Sequence, residues 1–373
     1  MSATIIVAPI STADHLSAID SFGSASFLQT PAWGRVKHDW SNESIGWFDG
    51  DQLIGAGLVL YRKVPKINRY LAYLPEGPLL PWYSRGADEF LTPLVHFAKS
   101  RRAFAIRMGP ALISRRWHAN TVKKAIADPA LATLADTPAD AVDDDALALR
   151  EELGGLGWRE VLVDDGFGAG QPKYNFHLSL AGRSQDDLLA GMNQLWRRNI
   201  RKAAKEGVEV SAGTRKDLPE FHRIYLETAE RDDFTARPLS YFEGMWDAMN
   251  QETPGRLALY LARHEGDLVA ATTMVQVGTH AWYTYGASTT AKRHVRGSNA
   301  IQWRMICDAL DHGADIYDLR GITATLDPDD SHVGLIQFKA GTGGDAVEYL
   351  GEWDLPIQRV LYRAFTAYMS RRA

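Results

Sequence analysis

The sequence of 373 residues contains one cysteine, Cys307. A single cysteine excludes an internal disulfide and a zinc site made of several cysteine ligands. Met305 and Ile306 precede it in an apolar stretch, so a buried helix position is favoured over a catalytic thiol.

Long apolar runs and an excess of positive charge are also missing. No segment reaches the roughly 18 consecutive apolar residues of a membrane-spanning helix. The opening MSATIIVAP has no basic residue before its short apolar run and does not predict a signal peptide. The net charge is −5, so a nucleic-acid site would have to be a local basic patch. With 45% hydrophobic and 23% charged residues, the composition is that of a soluble globular protein, which we expect in the cytoplasm.

A weak internal repeat organises the chain. Residues 46–63 predict two strands joined by a tight turn at Gly50, and residues 259–288 predict the same hairpin with a third strand after it. Apolar residues at helical spacing predict a helix within 215–233, ahead of the second hairpin. Residues 297–321 then predict a helix followed by a strand in DIYDLRG. The pattern indicates two α/β units of one type.

Other segments mark helix ends and the boundary between the units. Ser298 or Asn299 is expected to cap the helix that follows the second hairpin. The Ala/Asp-rich stretch 128–150 predicts a solvated loop and then a helix. The Gly-rich break 164–172 separates the units, and the strand KYNFHLSL follows it. The amphipathic tail QRVLYRAFTAYMSRR predicts a helix packed on the protein, with a membrane anchor as the less favoured alternative.

Two segments carry cations that suit a binding site. Lys37 lies between Trp33 and Trp40 in helix-like sequence. Arg237 is expected in a loop, because Pro238 disfavours helical backbone in the residue before it. Exposed lysines and loop arginines are common, so an ordinary surface position is the alternative for each.

The segments WYTYGAS and QFKAGTGGD carry further candidates. Tyr283 and Tyr285 alternate in a predicted strand, so both phenols are expected on one face, where they line a polar pocket or pack in the core. Lys339 follows the apolar run 333–338, which predicts a strand, and precedes a loop with three glycines. Those glycines indicate either a close approach of backbone to a ligand or a simple turn. The order does not fit a P-loop, in which the lysine follows the glycines.

Eight segments occur in one order along the chain: FLQ…WG…K near the start, QPKYNFHLSL, NIRKAAKEGVEV, ETAERDDFTARP, WYTYGAS, YDLRG, GLIQFKAG and YLGEWDLP. Together they span nearly the whole sequence and resemble the FemABX peptidyltransferases. Those enzymes take an amino acid from aminoacyl-tRNA and attach it to the stem peptide of a peptidoglycan precursor. The resemblance implies an α/β (α+β) fold of two tandem GNAT-like domains, each a mixed, largely antiparallel sheet flanked by helices. It places the domains at 1–171 plus 351–373 and at 172–350, because the family's C-terminal segment usually returns to the first domain.

The resemblance also implies roles for single residues. Lys339 is expected to be the catalytic cation that stabilises the oxyanion formed in ester aminolysis, with the glycines letting the acceptor end of tRNA come close. Arg237 suits phosphate because its planar fork donates two parallel hydrogen bonds. The expected substrate-binding residues are Lys37, Arg237, Tyr241, Tyr283, Tyr285 and Phe338.

The chain departs from the family pattern in the element expected to bind tRNA. Some relatives carry a long antiparallel helical arm in the second domain, and no heptad run of that length occurs here. Basic residues are the remaining candidates for contact with phosphate, each with a solvated helix face as its ordinary alternative. They are Arg101, Arg102, Arg115, Arg116, Lys123, Lys124, Arg197, Arg198, Arg201, Lys202 and Lys205.

A second departure concerns the base. Some relatives have a carboxylate in the first domain, in a strand that ends just before a proline, and Gly109 stands at that place here. Either another group takes the proton of the attacking amine, or the amine arrives neutral and the departing ribose takes the proton. Glu227, Glu230 and Asp318 are candidates without further support.

The expected partners are an aminoacyl-tRNA carrying Gly, Ala or Ser and a peptidoglycan precursor, either lipid II or UDP-MurNAc-pentapeptide. We expect a monomer with no cofactor and no metal, in peripheral contact with the inner face of the plasma membrane. Two alternatives stay open. One is a CoA-dependent GNAT N-acyltransferase, because RHVRGSNA has a faint likeness to a pyrophosphate loop. The other is a non-catalytic GNAT-like protein that binds cell-wall precursor or tRNA.

Overall fold

The structure is a computed structural model that describes residues 5–161, 170–330 and 332–370, and within these ranges the chain forms two sheets flanked by helices. The strands are β1 (Ile6–Pro9), β2 (Ser41–Asp49), β3 (Gln52–Lys63), β4 (Tyr70–Leu74), β5 (Ala103–Met108), β6 (Ile113–His118), β7 (Ala141–Val142), β8 (Arg159–Glu160), β9 (Tyr174–Ser179), β10 (Glu209–Ala212), β11 (Leu257–His264), β12 (Asp267–Val277), β13 (His280–Ser288), β14 (Ile316–Ile322), β15 (Asp345–Tyr349) and β16 (Trp353–Pro356). The α-helices are α1 (Thr12–Ser21), α2 (Pro31–Val36), α3 (Ala87–Ser100), α4 (Ala119–Ile126), α5 (Asp144–Gly155), α6 (Gln185–Gly191), α7 (Gln194–Lys205), α8 (Leu218–Arg231), α9 (Leu239–Glu252), α10 (Gly297–Asp311), α11 (Val333–Ala340) and α12 (Arg359–Ser370).

The first sheet has the strand order β1-β2-β3-β4-β5-β16-β8. Strands β4 and β5 run parallel, and the other neighbouring pairs are antiparallel. Apolar residues of α3 and α5 cover one face, where they pack around Trp47 and Ile106. Helix α12 covers part of the other face through Phe365, which packs against Phe104. The sheet is therefore mixed and largely antiparallel, as predicted.

The second sheet has the order β10-β11-β12-β13-β14-β9-β15-β6-β7. Here β13 and β14 are the parallel pair among antiparallel neighbours. Helices α7 and α10 cover one face, and their residues Trp196 and Met305 belong to the core beneath them. Helices α8 and α9 cover the other face around Phe221 and Phe242. Strand β12 is buried on both faces, which explains why its sequence is an almost continuous run of apolar and small residues.

The internal repeat predicted from the sequence is confirmed. In the first sheet, helices α1 and α2 precede antiparallel β2, β3 and β4, and α3 leads to the parallel strand β5. In the second sheet, α8 and α9 precede antiparallel β11, β12 and β13, and α10 leads to the parallel strand β14. The strands β2 and β3 turn at Gly50, and β11 and β12 turn at Gly266, both at positive φ.

The strands near the predicted domain boundaries are divided between the two sheets, and the domain division itself stays a prediction. Strand β16 follows residue 351 and lies in the first sheet between β5 and β8. Strands β6 and β7 precede residue 171 but lie in the second sheet, where β6 pairs with β15. Residues 164–169 of the Gly-rich break lie outside the described residues.

Contacts between the two halves build the wall of a cleft. Phe27 packs against Trp282 of β13, with ring centroids 5.5 Å apart. Arg35 of α2 donates a hydrogen bond to the carbonyl of Ala248 in α9 at 3.0 Å. Arg320 of β14 pairs with Glu76 at 2.9 Å. Elements of both sheets therefore surround one space.

Three local predictions have definite outcomes. The predicted strand over 333–338 is wrong, because these residues lie in α11; a short apolar run fits a buried helix as well as a strand. The predicted caps Ser298 and Asn299 are wrong, because α10 already begins at Gly297 and its N-cap is Arg296, which has φ +64°. The tail does form a helix packed on the protein, α12. No helix in the described ranges is both long and apolar enough to cross a membrane.

Candidate functional site

A cleft of about 300 Å³ lies between the two halves of the chain; we call it the interface cleft. Four of the predicted substrate-binding residues line it, with Gly321 of β14 at its edge; they are Lys37, Arg237, Tyr241 and Tyr285. Lys37 caps the end of α2, and Arg237 lies in the loop before α9. Tyr241 belongs to α9 and Tyr285 to β13. The fold thus brings together four residues that the sequence separates widely.

Lys37 is held at the cleft by the end of a short helix. Helix α2 ends at Val36, and Lys37 is its C-cap residue. The ammonium Nζ lies 5.1 Å from the centre of the Trp33 ring and 6.0 Å from that of Tyr241, within the range of cation–π attraction. Burial lowers the pKa of Lys37, and the neighbouring charge of Arg237 lowers it further.

Arg237 approaches the same tyrosine from the loop between α8 and α9. Its guanidinium carbon lies 5.2 Å from the centre of the Tyr241 ring. The hydroxyls of Tyr241 and Tyr285 are 2.9 Å apart and share a hydrogen bond. Among the described residues, neither Arg237 nor Lys37 has an ion-pair partner. Two cations that face one cleft without a carboxylate among its lining residues suit an anion such as phosphate.

The expectation that Tyr283 and Tyr285 share one face is wrong. The register between β12 and β13 shifts, so that Thr273 pairs with Tyr285 and Met274 pairs with Tyr283, and Thr284 is the extra residue. Such a bulge reverses the alternation of side chains. Tyr285 therefore packs on the α8–α9 side of the sheet, and Tyr283 packs on the α7–α10 side.

Tyr283 lines a second cleft of about 430 Å³, which we call the α10 cleft. Phe338, the sixth predicted substrate-binding residue, lines it as well, together with Asn199 of α7. The first turn of α10 forms its floor, and Arg293 and Arg296 are exposed beside it. A helix N-terminus presents free backbone N–H groups and a positive dipole end, so this cleft also suits an anion.

The two clefts lie on opposite faces of the second sheet, and the sheet opens between them. Strands β13 and β14 pair only over His280–Trp282 and Ile316–Asp318. Beyond Trp282 the strands separate. Three residues beyond the last pair line the clefts. Tyr283 of β13 lines the α10 cleft, and Tyr285 of β13 and Gly321 of β14 line the interface cleft.

Lys339 lies beside this opening. It is 3% exposed, and its Nζ donates hydrogen bonds to the carbonyls of Arg320 at 3.1 Å and of Gly321 at 2.7 Å. Arg320 and Gly321 line the interface cleft, and Phe338, the residue before Lys339, lines the α10 cleft. Burial lowers the pKa of Lys339 to about 7. The ammonium is thus placed between both clefts, one layer of backbone behind the interface cleft.

The three glycines after Lys339 serve packing, which corrects the expectation that they admit a ligand. A Cβ at Gly341 would collide with the Trp196 ring, whose Nε1 donates to the carbonyl of Phe338 at 2.8 Å. A Cβ at Gly343 or Gly344 would collide with the protein backbone. Small residues here let Trp196 hold the end of α11 in place.

None of the three carboxylates considered from the sequence is suited to act as a base. Asp318 is fully buried; burial alone would raise its pKa, but His177 and His280 hold that pKa well below its usual range. Glu227 accepts a hydrogen bond from the Thr290 N–H at 2.6 Å. Glu227 and Glu230 line neither the interface cleft nor the α10 cleft.

Sequence reasoning missed Glu352, a buried carboxyl beside Gly109. A Cβ built on Gly109 would lie 3.1 Å from Cγ of Glu352. Burial raises the pKa of Glu352 to about 7. The two residues are far apart in the sequence, and no local pattern in the sequence indicates that they meet.

One group of side chains in the described ranges has ligand atoms close enough to hold a metal ion: His177, His280 and Asp318, within 4.8 Å of one another. An Asp318 oxygen lies 3.3 Å from His177 and 3.5 Å from His280, and His177 also contacts the Tyr349 hydroxyl. The ion-pair distances hold this cluster together, while His177 Nδ1, His280 Nε2 and Asp318 Oδ2 have no hydrogen-bond partner among the described residues; we assign no metal to it. Burial raises the pKa of Cys307 to about 12, which disfavours a reactive thiolate.

Two groups stand out among the basic candidates, and Arg102, Lys123 and Lys124 belong to neither. Arg101 pairs with Glu43, Arg115 with Glu348, and Arg116 with Asp345, so these cations serve the fold. The cations of α7 differ, because none forms an ion pair with a described residue. Those most exposed are Arg198, Arg201 and Lys205. Helix α7 also contributes Leu195 and Asn199 to the α10 cleft, so its basic face adjoins that cleft.

The two similar sheets, each with one parallel pair, define the class of the fold as tandem GNAT-like. The crystal structure of a tandem GNAT protein from the clavulanic acid biosynthesis pathway aligns with a TM-score of 0.53 and 10% identity, over 95% of this chain and 98% of that one. The crystal structure of FemX aligns with a TM-score of 0.79 and 22% identity, over 96% of this chain and 99% of that one.

The sequence comparison identifies the family. The model of the FemAB family matches residues 12–263 and 261–369, and the chain belongs to this family. A lipid II:glycine glycyltransferase of Staphylococcus haemolyticus is 21% identical, over 95% of this chain and 93% of that protein. The resemblance stated from the sequence motifs is confirmed.

Proposed function

We propose that this protein transfers an amino acid from an aminoacyl-tRNA to the side-chain amine of the stem peptide of a peptidoglycan precursor. The observation that carries the proposal is the pair of anion-binding clefts on opposite faces of one sheet, joined at an opening beside Lys339. Two large anionic substrates could each occupy one cleft and place their reacting groups at the same point. Membership of the FemAB family and similarity to a lipid II:glycine glycyltransferase support this assignment.

The interface cleft is assigned to the precursor. Lys37 and Arg237 would bind its diphosphate, which both lipid II and UDP-MurNAc-pentapeptide carry. The rings of Trp33 and Tyr241 hold the two cations in place, and the hydroxyls of Tyr241 and Tyr285 offer hydrogen bonds to sugar or peptide.

The α10 cleft is assigned to the 3′ end of the tRNA. Arg293, Arg296 and the N-terminus of α10 would bind its phosphates. Phe338 and Tyr283 offer aromatic faces on which unpaired bases can stack. The basic face of α7, which adjoins this cleft, would follow the acceptor stem and supply the contact for which other relatives have a helical arm.

The chemistry is aminolysis of an ester. The neutral amine attacks the ester carbonyl, a carbon–nitrogen bond forms, and negative charge develops on the carbonyl oxygen. Lys339 would stabilise that charge, a contribution that is typically worth about 3 kcal/mol for one well-placed donor. Its two backbone acceptors, the carbonyls of Arg320 and Gly321, fix the direction of the ammonium. The bond to the ribose oxygen then breaks, and that oxygen leaves with a proton.

A transfer assay tests the proposal. Purified protein is incubated with glycyl-, alanyl- or seryl-tRNA, or with acetyl-CoA, and with lipid II or UDP-MurNAc-pentapeptide; products are identified by mass. We expect a mass increase of one amino-acid residue on a precursor with at least one charged tRNA, and none with acetyl-CoA. Product from acetyl-CoA alone would support the CoA-dependent alternative. Binding of both substrates without any product would support the non-catalytic one.

The cations of the interface cleft give a separate prediction. Because a hydrogen bond to a charged group contributes about 1.5–3 kcal/mol, Lys37→Ala and Arg237→Ala should each weaken binding of UDP-MurNAc-pentapeptide by about 10- to 100-fold. Affinity for aminoacyl-tRNA should change less than about twofold in both variants. Titration calorimetry with each substrate measures the effect, and Lys124→Ala on α4 serves as the control. Unchanged precursor affinity in both variants would contradict the assignment of this cleft.

A further inference from the structure

The position of Glu352 depends on the absence of a side chain at Gly109. A Cβ at Gly109 would lie 3.1 Å from Cγ of Glu352 and 3.3 Å from the carbonyl oxygen of Gly351. Both contacts are closer than a carbon normally tolerates in a packed interior. Gly109, which follows β5, thus leaves room for the Cγ methylene group that carries the Glu352 carboxyl.

Glu352 is buried without a counter-ion of its own. It is 3% exposed, and its Oε2 has no hydrogen-bond partner. Arg107 of β5 lies 3.9 Å from that oxygen but makes two short hydrogen bonds, of 2.7 and 2.8 Å, to Asp354. The arginine is therefore committed to Asp354. A buried carboxyl with one unpaired oxygen is costly to maintain, and carboxyls with shifted pKa values cluster at functional sites.

Hydrogen bonds connect Glu352 to the interface cleft. The Tyr73 hydroxyl of β4 donates to Oε1 of Glu352 at 2.5 Å. The same hydroxyl oxygen accepts a hydrogen bond from Nε2 of Gln171 at 3.2 Å. Gln171 lines the interface cleft, and its Oε1 accepts from Arg320 at 3.3 Å. The Tyr73 hydroxyl is thus fixed between the carboxyl and the cleft wall.

The groups that surround Glu352 place its pKa near neutral pH. Burial is the largest influence and raises the pKa of Glu352 to about 7, and the like charge of Asp354 acts in the same direction. Arg107 from β5, the hydroxyl of Tyr73 from β4 and the backbone N–H of Gln171 oppose the rise. The carboxyl can therefore release and take up a proton at physiological pH.

We propose that Glu352 receives, through the Tyr73 hydroxyl, the proton that the stem-peptide ammonium must lose before it attacks. This inference rests on the proposed function. Because Gln171 and not Tyr73 lines the cleft, the ammonium gives one proton through a solvent molecule to the Tyr73 oxygen, as the tyrosine proton passes to Glu352. The neutral amine then forms the bond to the carbonyl carbon, and its second proton leaves with the ribose oxygen. Protonated Glu352 returns its proton to solvent, so the carboxylate is restored. Glu352 acts through Tyr73 and does not touch the substrate.

The test uses the full chain with the tRNA and precursor that give product in the transfer assay. Glu352→Gln keeps the shape and the hydrogen bond to Tyr73 but cannot take a proton. We expect kcat to fall by about 10²-fold, with KM for both substrates within about twofold. The wild-type kcat should follow a bell-shaped curve near pH 7, with a rise as Glu352 ionises and a fall as Lys339 loses its proton, and the rise on the acid side should disappear in the variant. Tyr73→Phe should lose activity to a similar extent, and the double variant should lose no more than either single one.

Controls separate the proton-transfer role from a structural one. Glu352→Asp should recover part of the rate and the rise with pH. Glu160→Gln, which removes a carboxylate on the neighbouring strand β8, should leave the pH profile unchanged. Retention of kcat and of the rise with pH in Glu352→Gln overturns the inference while the proposed function stands. Absence of transfer in the wild type overturns both. If Glu352→Gln fails to fold, Tyr73→Phe decides, because a wild-type pH profile in that variant also overturns the inference.

Discussion

Lys339→Met should lower kcat for amino-acid transfer by about 10²–10³-fold while the protein stays folded. The reason is that Nζ is the cation beside the opening between the two clefts, directed by the carbonyls of Arg320 and Gly321. Methionine matches the length of the aliphatic chain but supplies no positive charge. Transfer measured at saturating concentrations of both substrates gives the effect. Gln337→Met is the matched control, since Gln337 is exposed on the same helix.

The stability of this variant should depend on pH in a definite direction. Burial lowers the folded-state pKa of Lys339 to about 7 from its ordinary 10.5. Between these values the unfolded chain binds more protons than the native one, so the contribution of Lys339 to stability rises as pH increases from 7 to 10.5. Below pH 7 the native state carries the full cost of a buried charge. Lys339→Met should therefore be stabilised relative to wild type most at pH 6 and least at pH 10, by thermal unfolding. Near-normal turnover, or the opposite pH trend, would contradict the assignment.

Reversal of charge on α7 should weaken aminoacyl-tRNA binding by about 10²-fold or more. The triple variant Arg198→Glu/Arg201→Glu/Lys205→Glu replaces three exposed cations that have no ion pair with a described residue. Each lost phosphate contact reduces the slope of log affinity against log salt by about 1, so the slope should fall by about 3. Filter binding or fluorescence anisotropy at several salt concentrations measures both quantities. Affinity for UDP-MurNAc-pentapeptide should not change.

The control for α7 is Lys123→Glu/Lys124→Glu on α4, where two neighbouring cations line neither cleft. It should leave tRNA affinity within about threefold of wild type. Vesicles that contain phosphatidylglycerol serve as a second ligand. If the α7 variant loses vesicle binding and keeps its affinity for tRNA, this face contacts a membrane surface and the assignment to RNA is wrong.

Much of the fold could be predicted because local patterns and tertiary structure agree. The hairpins around Gly50 and Gly266 have strand-forming sequence on both sides of a turn that needs positive φ. Helix α8 has its buried residues at helical spacing, and the structure places it where the sequence does. Lys37, Arg237, Tyr241 and Tyr285, which the family resemblance grouped as substrate-binding residues, line one cleft, and their role stays a prediction.

The errors arise where tertiary contacts override the local pattern. Alternation predicted one face for Tyr283 and Tyr285, but a bulge at Thr284 is invisible in the sequence. The run VGLIQF resembles a strand because it is short and apolar, and the exposed positions of α11, Gly334 and Gln337, are too few to show a polar periodicity. Glu352 was missed because its significance depends on Gly109, and no local pattern links residues on β5 to residues beside β16.

The separation of β13 from β14 after Trp282 has a kinetic consequence. Under the proposed function the two substrates approach Lys339 from opposite faces of the sheet, so we expect a ternary complex and no acyl intermediate on the protein. Initial-rate plots should then intersect, as expected for a sequential order, and a non-reactive analogue of one substrate should not compete with the other. A single compound that resembles both substrates and occupies both clefts at once should bind more tightly than either substrate alone. Binding of one of its ends raises the effective concentration of the other end at the second cleft.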